Sequence, residues 1–167
     1  MPKIEELSPA KLVYNKEPML IAENYACVTG EIPRKVDFEK GLLQNRIFSD
    51  GSWQPDHLIL DDRALVLNVK GKGLVVISGC AHAGIINTIR YAQQITGTRK
   101  VYTVLGGFHL SGRQFERRIE PTLEALKQIN PELIVPSHCT GWRALYAISE
   151  KLPGAFVFNS VGNLYSL

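Results

Sequence analysis

The sequence predicts an α/β fold in which one mixed sheet is covered by helices. Two apolar runs, "RALVLNV" and "GLVVISG", flank the turn "KGKG", in which Gly71 and Gly73 supply the backbone freedom that a hairpin needs. The second run is continuous rather than alternating, which is typical of a strand buried on both faces. After it, helical and strand patterns alternate along the chain, as they do in α/β proteins.

The sequence of the first third of the chain predicts two short strands and one long loop. Residues 11–31 predict two short strands, broken at Glu17-Pro18. Residues 33–57 are polar and rich in glycine and proline, and predict a long loop of the kind that forms lids or binding loops or is disordered. The length of 167 residues suits one domain over 1–167 with a core of its own.

The remainder predicts helices and strands in turn. Isoleucines and alanine recur at helical spacing over 83–95, and leucines do so over 115–129. The predicted order after the hairpin is helix 83–95, strand "KVYTVLGG", helix 115–129, strand "ELIVPSH", helix "GWRALYAISEKL" and one or two short strands in "AFVFNSVGNLYSL".

Composition and charge limit the function classes. The chain is 45% hydrophobic and 21% charged, with a net charge of +3 and a pI near 8.8. Its basic residues are scattered, which does not favour a nucleic-acid binder but is compatible with a small anionic substrate. Three cysteines cannot form a closed disulfide framework, so we expect reduced thiols and a cytoplasmic protein. No apolar run is long enough to cross a membrane, and we expect no membrane association.

Three of the four histidines stand in equivalent places. His82, His109 and His138 each follow the C-terminal end of a predicted apolar strand, among small or turn-forming residues. Ligands of open α/β sheets bind at this edge. One such histidine is more often a hydrogen-bonded cap than a ligand, but three of them favour a divalent metal, with zinc first and iron or manganese as alternatives. His57 fits a surface or lid residue better.

The neighbours of these histidines leave alternatives open. Cys80 and Cys139 are either thiolate ligands or small buried hydrophobic residues, and the lack of a CxxC spacing favours the second reading. Asp61 and Asp62 precede a strand, where acids usually cap a turn. Asp62 is also a candidate to accept the other N–H of a metal-bound imidazole.

The stretches "DDRALVLNVKGKGLVVISGCAHAGIINTI", "VLGGFHL" and "IVPSHCTGWRAL" resemble the C-terminal half of the metallo-β-lactamase superfamily. The most similar branch comprises metal-dependent hydrolases that include the dihydropterin–ribofuranosylaminobenzene phosphate synthases. The resemblance implies half of a four-layer αββα sandwich. It also implies that His82 and His138 are metal ligands, and that His109 lies near the place of a bridging aspartate.

The family's N-terminal half carries an H-x-H-x-D-H motif, and this sequence contains no H-x-H. The resemblance therefore implies the C-terminal part of a metal-dependent hydrolase, incomplete for catalysis, whose ion need not be held by the isolated chain. We expect either a homodimer or a separately encoded N-terminal half to cover the inner face of the sheet. Arg34 and Arg143 are candidates to bind an anionic substrate group. The alternative is a non-catalytic dimerising or metal-binding remnant; a nucleic-acid binder ranks last.

Overall fold

A six-stranded mixed sheet is the centre of the computed structural model, which describes residues 13–42 and 45–166. The eight strands are β1 (Met19–Ile21), β2 (Ala26–Val28), β3 (Arg46–Ser49), β4 (Ser52–Pro55), β5 (Ala64–Val69), β6 (Gly73–Ser78), β7 (Val101–Gly107) and β8 (Leu133–Ser137). The main sheet has the order β1-β2-β5-β6-β7-β8, and β3 pairs with β4 alone. The first four strands of this order are antiparallel, whereas β6, β7 and β8 are parallel. The predicted mixed sheet is confirmed.

The helices connect the parallel strands. They are α1 (Ile85–Thr96), α2 (Arg113–Glu116), α3 (Ile119–Ile129) and α4 (Trp142–Lys151), and a 3₁₀ turn over His138–Thr140 precedes α4. The helix predicted over 115–129 is interrupted, so that α2 and α3 are separate. Pro121 has no N–H to donate to the carbonyl of Arg117 four residues earlier, and proline is tolerated only in the first turn of a helix.

The core lies between the three longer helices and one face of the sheet. Ile89 of α1, Leu126 of α3 and Ile148 of α4 belong to one buried cluster with Val104 of β7 and Ile134 of β8. Residues on both faces of β6 and β7 are withdrawn from water, and this burial accounts for the mainly apolar sequences of the two strands.

The opposite face of the sheet also carries an apolar row. Leu65, Ile77, Leu105 and Val135 are successive cross-strand neighbours on β5, β6, β7 and β8, so they share one face. None of them belongs to the helix-side clusters of buried residues. Leu65, Ile77 and Leu105 remain partly exposed. We call these four residues the apolar row.

Both ends of the chain differ from the predictions made for them. The two short strands predicted around Glu17-Pro18 both lie after Pro18 and are separated by a turn at residues 22–25; residues 11 and 12 lie outside the described part. The strands predicted in "AFVFNSVGNLYSL" are reduced to a single parallel bridge between Ile134 and Phe156. Turns at 153–154 and 161–162 leave too little extended chain there for a strand.

The segment 33–57, predicted as a long loop, contains the β3–β4 hairpin. Asp50 and Gly51 form its turn with φ of 51° and 75°, the left-handed values that a two-residue hairpin turn requires. Residues 33–42, before the hairpin, are irregular but packed, because Val36, Glu39 and Leu42 are buried. No helix in the described ranges is long and apolar enough to span a membrane.

Candidate metal centre at the sheet edge

The three histidines lie at one edge of the sheet. His82 is in the loop between β6 and α1, His109 follows β7 by two residues, and His138 directly follows β8. Because β6, β7 and β8 are parallel neighbours, their C-terminal ends meet there. The predicted position of all three residues is confirmed, and His57 is exposed on the hairpin side of the chain as expected of a surface residue.

His82 and His109 form a pair. Their ring centroids are 4.7 Å apart and the ring planes are nearly perpendicular, at 82°. The backbone reaches this arrangement through left-handed conformations at Ala81, with φ of 52°, and at His109, with φ of 47°. On its other side the His109 ring meets Phe115 at a centroid distance of 4.7 Å. Non-glycine residues in this conformation carry strain, and such strain is concentrated at functional sites.

The environment keeps the His109 imidazole neutral. Burial, and then the neighbouring His82, lower the pKa of His109 to about 4. Its Nδ1 atom is buried, and no group in the described part of the chain hydrogen-bonds to it. A buried ring nitrogen without a partner is uncommon. A neutral imidazole with a free nitrogen is the form that binds a metal ion.

Asp62 lies beside His82. Its Oδ1 is 3.9 Å from Nδ1 of His82, and its Oδ2 accepts a hydrogen bond from the N–H of Ala83 at 3.0 Å. Only 7% of the Asp62 side chain is exposed. The carboxylate therefore holds the loop that carries His82 and lies beside its imidazole.

His138 lies next to two cysteines and is not part of the His82–His109 pair. Its Nε2 is 3.2 Å from Sγ of Cys80, its Nδ1 is 3.1 Å from Oγ of Ser137, and Sγ of Cys139 donates to the carbonyl of Cys80 at 3.5 Å. The ligand atoms of Cys80, His138 and Cys139 all lie within 4.8 Å of one another, and this set includes neither His82 nor His109. Both thiols are partly buried, and burial raises the pKa of Cys139 to about 11.

Gly107 leaves the space that this group occupies. A methyl group at Gly107 would lie 2.5 Å from Sγ of Cys139, 2.7 Å from Cε1 of His138 and 2.8 Å from the carbonyl oxygen of Gly79. Any larger residue at this strand end would displace the potential ligands. Gly107 of "VLGGFHL" therefore leaves room for the side chains of the site and does not serve the turn alone.

The two candidate arginines are placed differently. Arg34 is partly buried, and its guanidinium donates to the carbonyls of Ile32 and Ile59 at 3.2 and 3.3 Å. Arg143 is exposed and pairs with Glu116 at 3.3 Å. Each guanidinium thus has at least one protein acceptor. Substrate binding by either residue remains a prediction.

Sequence reasoning missed Glu39 and Arg118, which border the site. The Glu39 carboxylate is 3% exposed and accepts hydrogen bonds from the N–H groups of Ile86 and Asn87 at the start of α1. Arg118 lies over the Phe115 ring at 4.9 Å and lines a cavity of about 280 Å³ with two further cations. The cavity is lined by Asp37, Phe38, Lys40, Gly41, Arg117 and Arg118. Long-range contacts of this kind leave no signal in local sequence patterns.

Comparison with curated proteins gives two relatives of Methanocaldococcus jannaschii. The chain is 35% identical over 162 residues to a 7,8-dihydropterin-6-methyl-4-(beta-D-ribofuranosyl)-aminobenzene-5'-phosphate synthase, a match that covers 92% of this chain and 51% of that protein. It is 32% identical over 161 residues to an uncharacterized protein, covering 96% of this chain and 57% of the other. The chain therefore spans about half the length of the curated relatives it matches.

A solved structure shares the fold. The crystal structure of a metal-dependent hydrolase of the β-lactamase superfamily matches with a TM-score of 0.77 and 26% identity, covering 94% of this chain and 58% of that one. No protein-family model matches the chain. The structural match and the curated synthase agree with the resemblance that the motifs around the three histidines carry.

Proposed function

Since the chain belongs by sequence and fold to the metallo-β-lactamase superfamily, we propose that it is the C-terminal part of a metal-dependent hydrolase, or of an enzyme of related transfer chemistry. The observation that carries this proposal is the position of His82, His109 and His138 after the C-terminal ends of three adjacent parallel strands, at one sheet edge. The matched metal-dependent hydrolase supports metal-dependent chemistry, and the matched synthase supports the alternative of related transfer chemistry.

The residues present fit a divalent ion. His109 offers a buried nitrogen that has no hydrogen-bond partner in the described ranges, and His82 has a carboxylate behind it. We expect His82 and His138 as ligands and His109 as a further ligand or an acid/base group, with zinc first and iron or manganese as alternatives. When bound, such an ion supplies Lewis-acid activation of water and of the scissile bond. The protein's own part is to position the three imidazoles and to keep the buried His109 ring neutral.

Completion by another polypeptide is part of the proposal. Catalytic zinc normally has three protein ligands and an open position, and the sequence lacks the H-x-H-x-D-H motif that supplies the remaining ligands in the family. The partial exposure of Leu65, Ile77 and Leu105 in the apolar row gives a physical reason for association, because a partner would withdraw them further from water. Either a second copy in a symmetric homodimer or a separately encoded N-terminal half would cover it.

An anionic substrate group fits the surroundings of the site. We retain Arg34 and Arg143 as its predicted contacts. The cavity lined by Lys40, Arg117 and Arg118 is a further candidate for binding this group. Arg118 lies over the Phe115 ring, and that ring contacts His109. Arginine is suited to planar carboxylate and phosphate groups.

Hydrolysis assays test the function. The chain, alone and mixed with a polypeptide that carries the family's first half, is incubated with phosphate esters and lactones in the presence of zinc, iron or manganese. We expect turnover in the mixture, and a loss of at least about tenfold in His82→Ala, since a missing ligand weakens metal binding and activity. His57→Ala, an exposed histidine away from the edge, is the matched control. Equal turnover in the His82 and His57 variants would contradict the proposal.

The second candidate is a non-catalytic remnant that dimerises or binds metal. The absence of H-x-H from the sequence and the half-length match favour it for the chain alone. Turnover in the presence of a first-half polypeptide, measured together with the oligomeric state by light scattering on the same sample, separates the two. A stable dimer that shows no turnover with any first-half polypeptide supports the remnant.

A further inference from the structure

We propose that Cys80, His138 and Cys139 form a binding site for one thiophilic divalent ion, with Zn²⁺ as the best-fitting species and a fourth position open to solvent. The site differs from the histidine set of the proposed function in its ligands, since two of its three donors are sulfur. It does not depend on that function and shares only His138 with it.

The positions of the donor atoms fit a shared ion. With Zn–S of ~2.3 Å and Zn–N of ~2.0–2.1 Å, tetrahedral coordination places sulfur and nitrogen ~3.6 Å apart and the two sulfurs ~3.8 Å apart. The Cys80 sulfur and His138 Nε2 are 3.2 Å apart, and all three donor atoms lie within 4.8 Å of one another. Small rotations of the partly exposed side chains can therefore bring the donors to these separations.

The surroundings orient the ligands toward this point. Oγ of Ser137 lies 3.1 Å from Nδ1 of His138, which leaves Nε2 directed at Cys80. A ligating histidine usually has its second nitrogen engaged in this way. Gly107 lacks the side chain that would collide with Cys139 and His138, and its N–H donates to the carbonyl of Gly79 at 2.9 Å. The ends of β6, β7 and β8 are thus tied together behind the donors.

The donor chemistry selects the class of ion. Two thiols and one imidazole suit zinc and other thiophilic ions better than magnesium or calcium, which prefer oxygen. Metal binding displaces the thiol protons, because a coordinated thiol is deprotonated. We therefore expect tighter binding as pH rises.

Bound there, the ion links the loop after β6 to the turn after β8. These segments lie 59 residues apart in the sequence and carry no CxxC spacing, so the sequence favours no such site. An ion bound at this site would also use His138 as a ligand, the residue that the proposed function assigns to the histidine set. The loop that carries His82 begins directly after Cys80 and would be held by the same ion.

Cobalt(II) titration of the full chain tests the site. The chain is kept reduced under anaerobic conditions, with three free thiols per chain, and Co²⁺ is added while the spectrum is recorded. We expect about one cobalt per chain with a near-ultraviolet thiolate-to-cobalt charge-transfer band, displaced by Zn²⁺. Cys80→Ser and Cys139→Ser each lower the band to about half, since one of two thiolates is lost. Cys27→Ser, in β2 beyond β5, leaves it unchanged.

The outcomes separate this proposal from the proposed function. Cobalt held by imidazoles alone gives visible bands without the thiolate band and survives the double variant Cys80→Ser, Cys139→Ser. That result overturns the thiolate site and leaves the hydrolase proposal in place. A thiolate band that disappears in the double variant supports the site even if no substrate is ever turned over. A band of equal intensity in wild type and both single variants also overturns it.

Discussion

Glu39 makes the stability of this protein depend on pH in a direction unusual for a carboxylate. It lies in the irregular segment before the hairpin, and its two oxygens accept N–H bonds from Ile86 and Asn87 at 3.0 and 2.8 Å. Gly84, directly before α1, has no side chain that would occupy the place of this carboxylate. Burial raises the pKa of Glu39 from its usual 4.5 to about 7, in spite of the two N–H donors.

The sign and size of the effect follow from proton linkage. A carboxyl with a raised pKa binds its proton more tightly in the folded state, so its stabilising contribution is complete below pH 4.5 and is lost as pH rises through 7. With these two values, the free energy of unfolding falls by about 2.5 kcal/mol between pH 5 and pH 8 on account of this group alone. Glu39→Gln cannot titrate and removes that part of the dependence.

Urea unfolding followed by circular dichroism measures this dependence. We expect the stability of wild type relative to Glu39→Gln to fall by about 2.5 kcal/mol from pH 5 to pH 8, a midpoint change of about 1 M urea. Glu124→Gln, an exposed carboxylate on α3, is the control and should give a difference that does not change with pH. A constant difference for Glu39→Gln would show that the N–H donors of α1 keep this carboxylate ionised.

Three further predictions concern the site and its support. Gly107→Ala is expected to lower stability by about 1–3 kcal/mol in urea unfolding, because the added methyl meets Cys139 and the fixed Gly79 carbonyl. Gly154→Ala, which has open space, is expected to be nearly neutral. The imidazole resonances of His109 are expected to titrate near pH 4 in NMR spectra of the metal-free protein, well below its usual 6.5. Ile89→Ala, fully buried under the sheet, is expected to cost about 2–5 kcal/mol in the same unfolding assay.

Each of these has a result that would contradict it. Equal stability of the two glycine variants would show that the strand end can relax around a methyl group. A His109 titration near 6.5 would place its ring in water. An Ile89 cost below about 1 kcal/mol would indicate that the cluster between the helices and the sheet is loosely packed.

Local patterns predict the sheet edge well. The continuous apolar run of β6 and the alternation after it are set by neighbouring residues, and parallel strands then bring their C-terminal ends together by topology. The positions of His82, His109 and His138 follow from that rule alone. The hairpin turn at Asp50-Gly51 and the helix break before Ile119 also depend on local residues, but the predicted loop over 33–57 and the predicted single helix over 115–129 missed them.

Contacts between distant segments could not be predicted in this way. Glu39 meets α1 across 47 residues, and the Cys139 thiol meets the Cys80 carbonyl across 59. Such pairs depend on how loops pack over a finished sheet, and no periodicity encodes them. The division of donors into a His82–His109 pair and a sulfur-rich group around His138 is a consequence of that packing.

Metal content per chain, measured on protein purified without added metal, tests the central claim that this sheet edge holds a divalent ion. The account predicts about one zinc, iron or manganese ion per chain in the wild type, its loss in the double variant His82→Ala, His138→Ala, and its retention in His57→Ala. A wild-type chain that holds no metal even together with the family's first half, or a double variant that retains the wild-type content, would contradict the account.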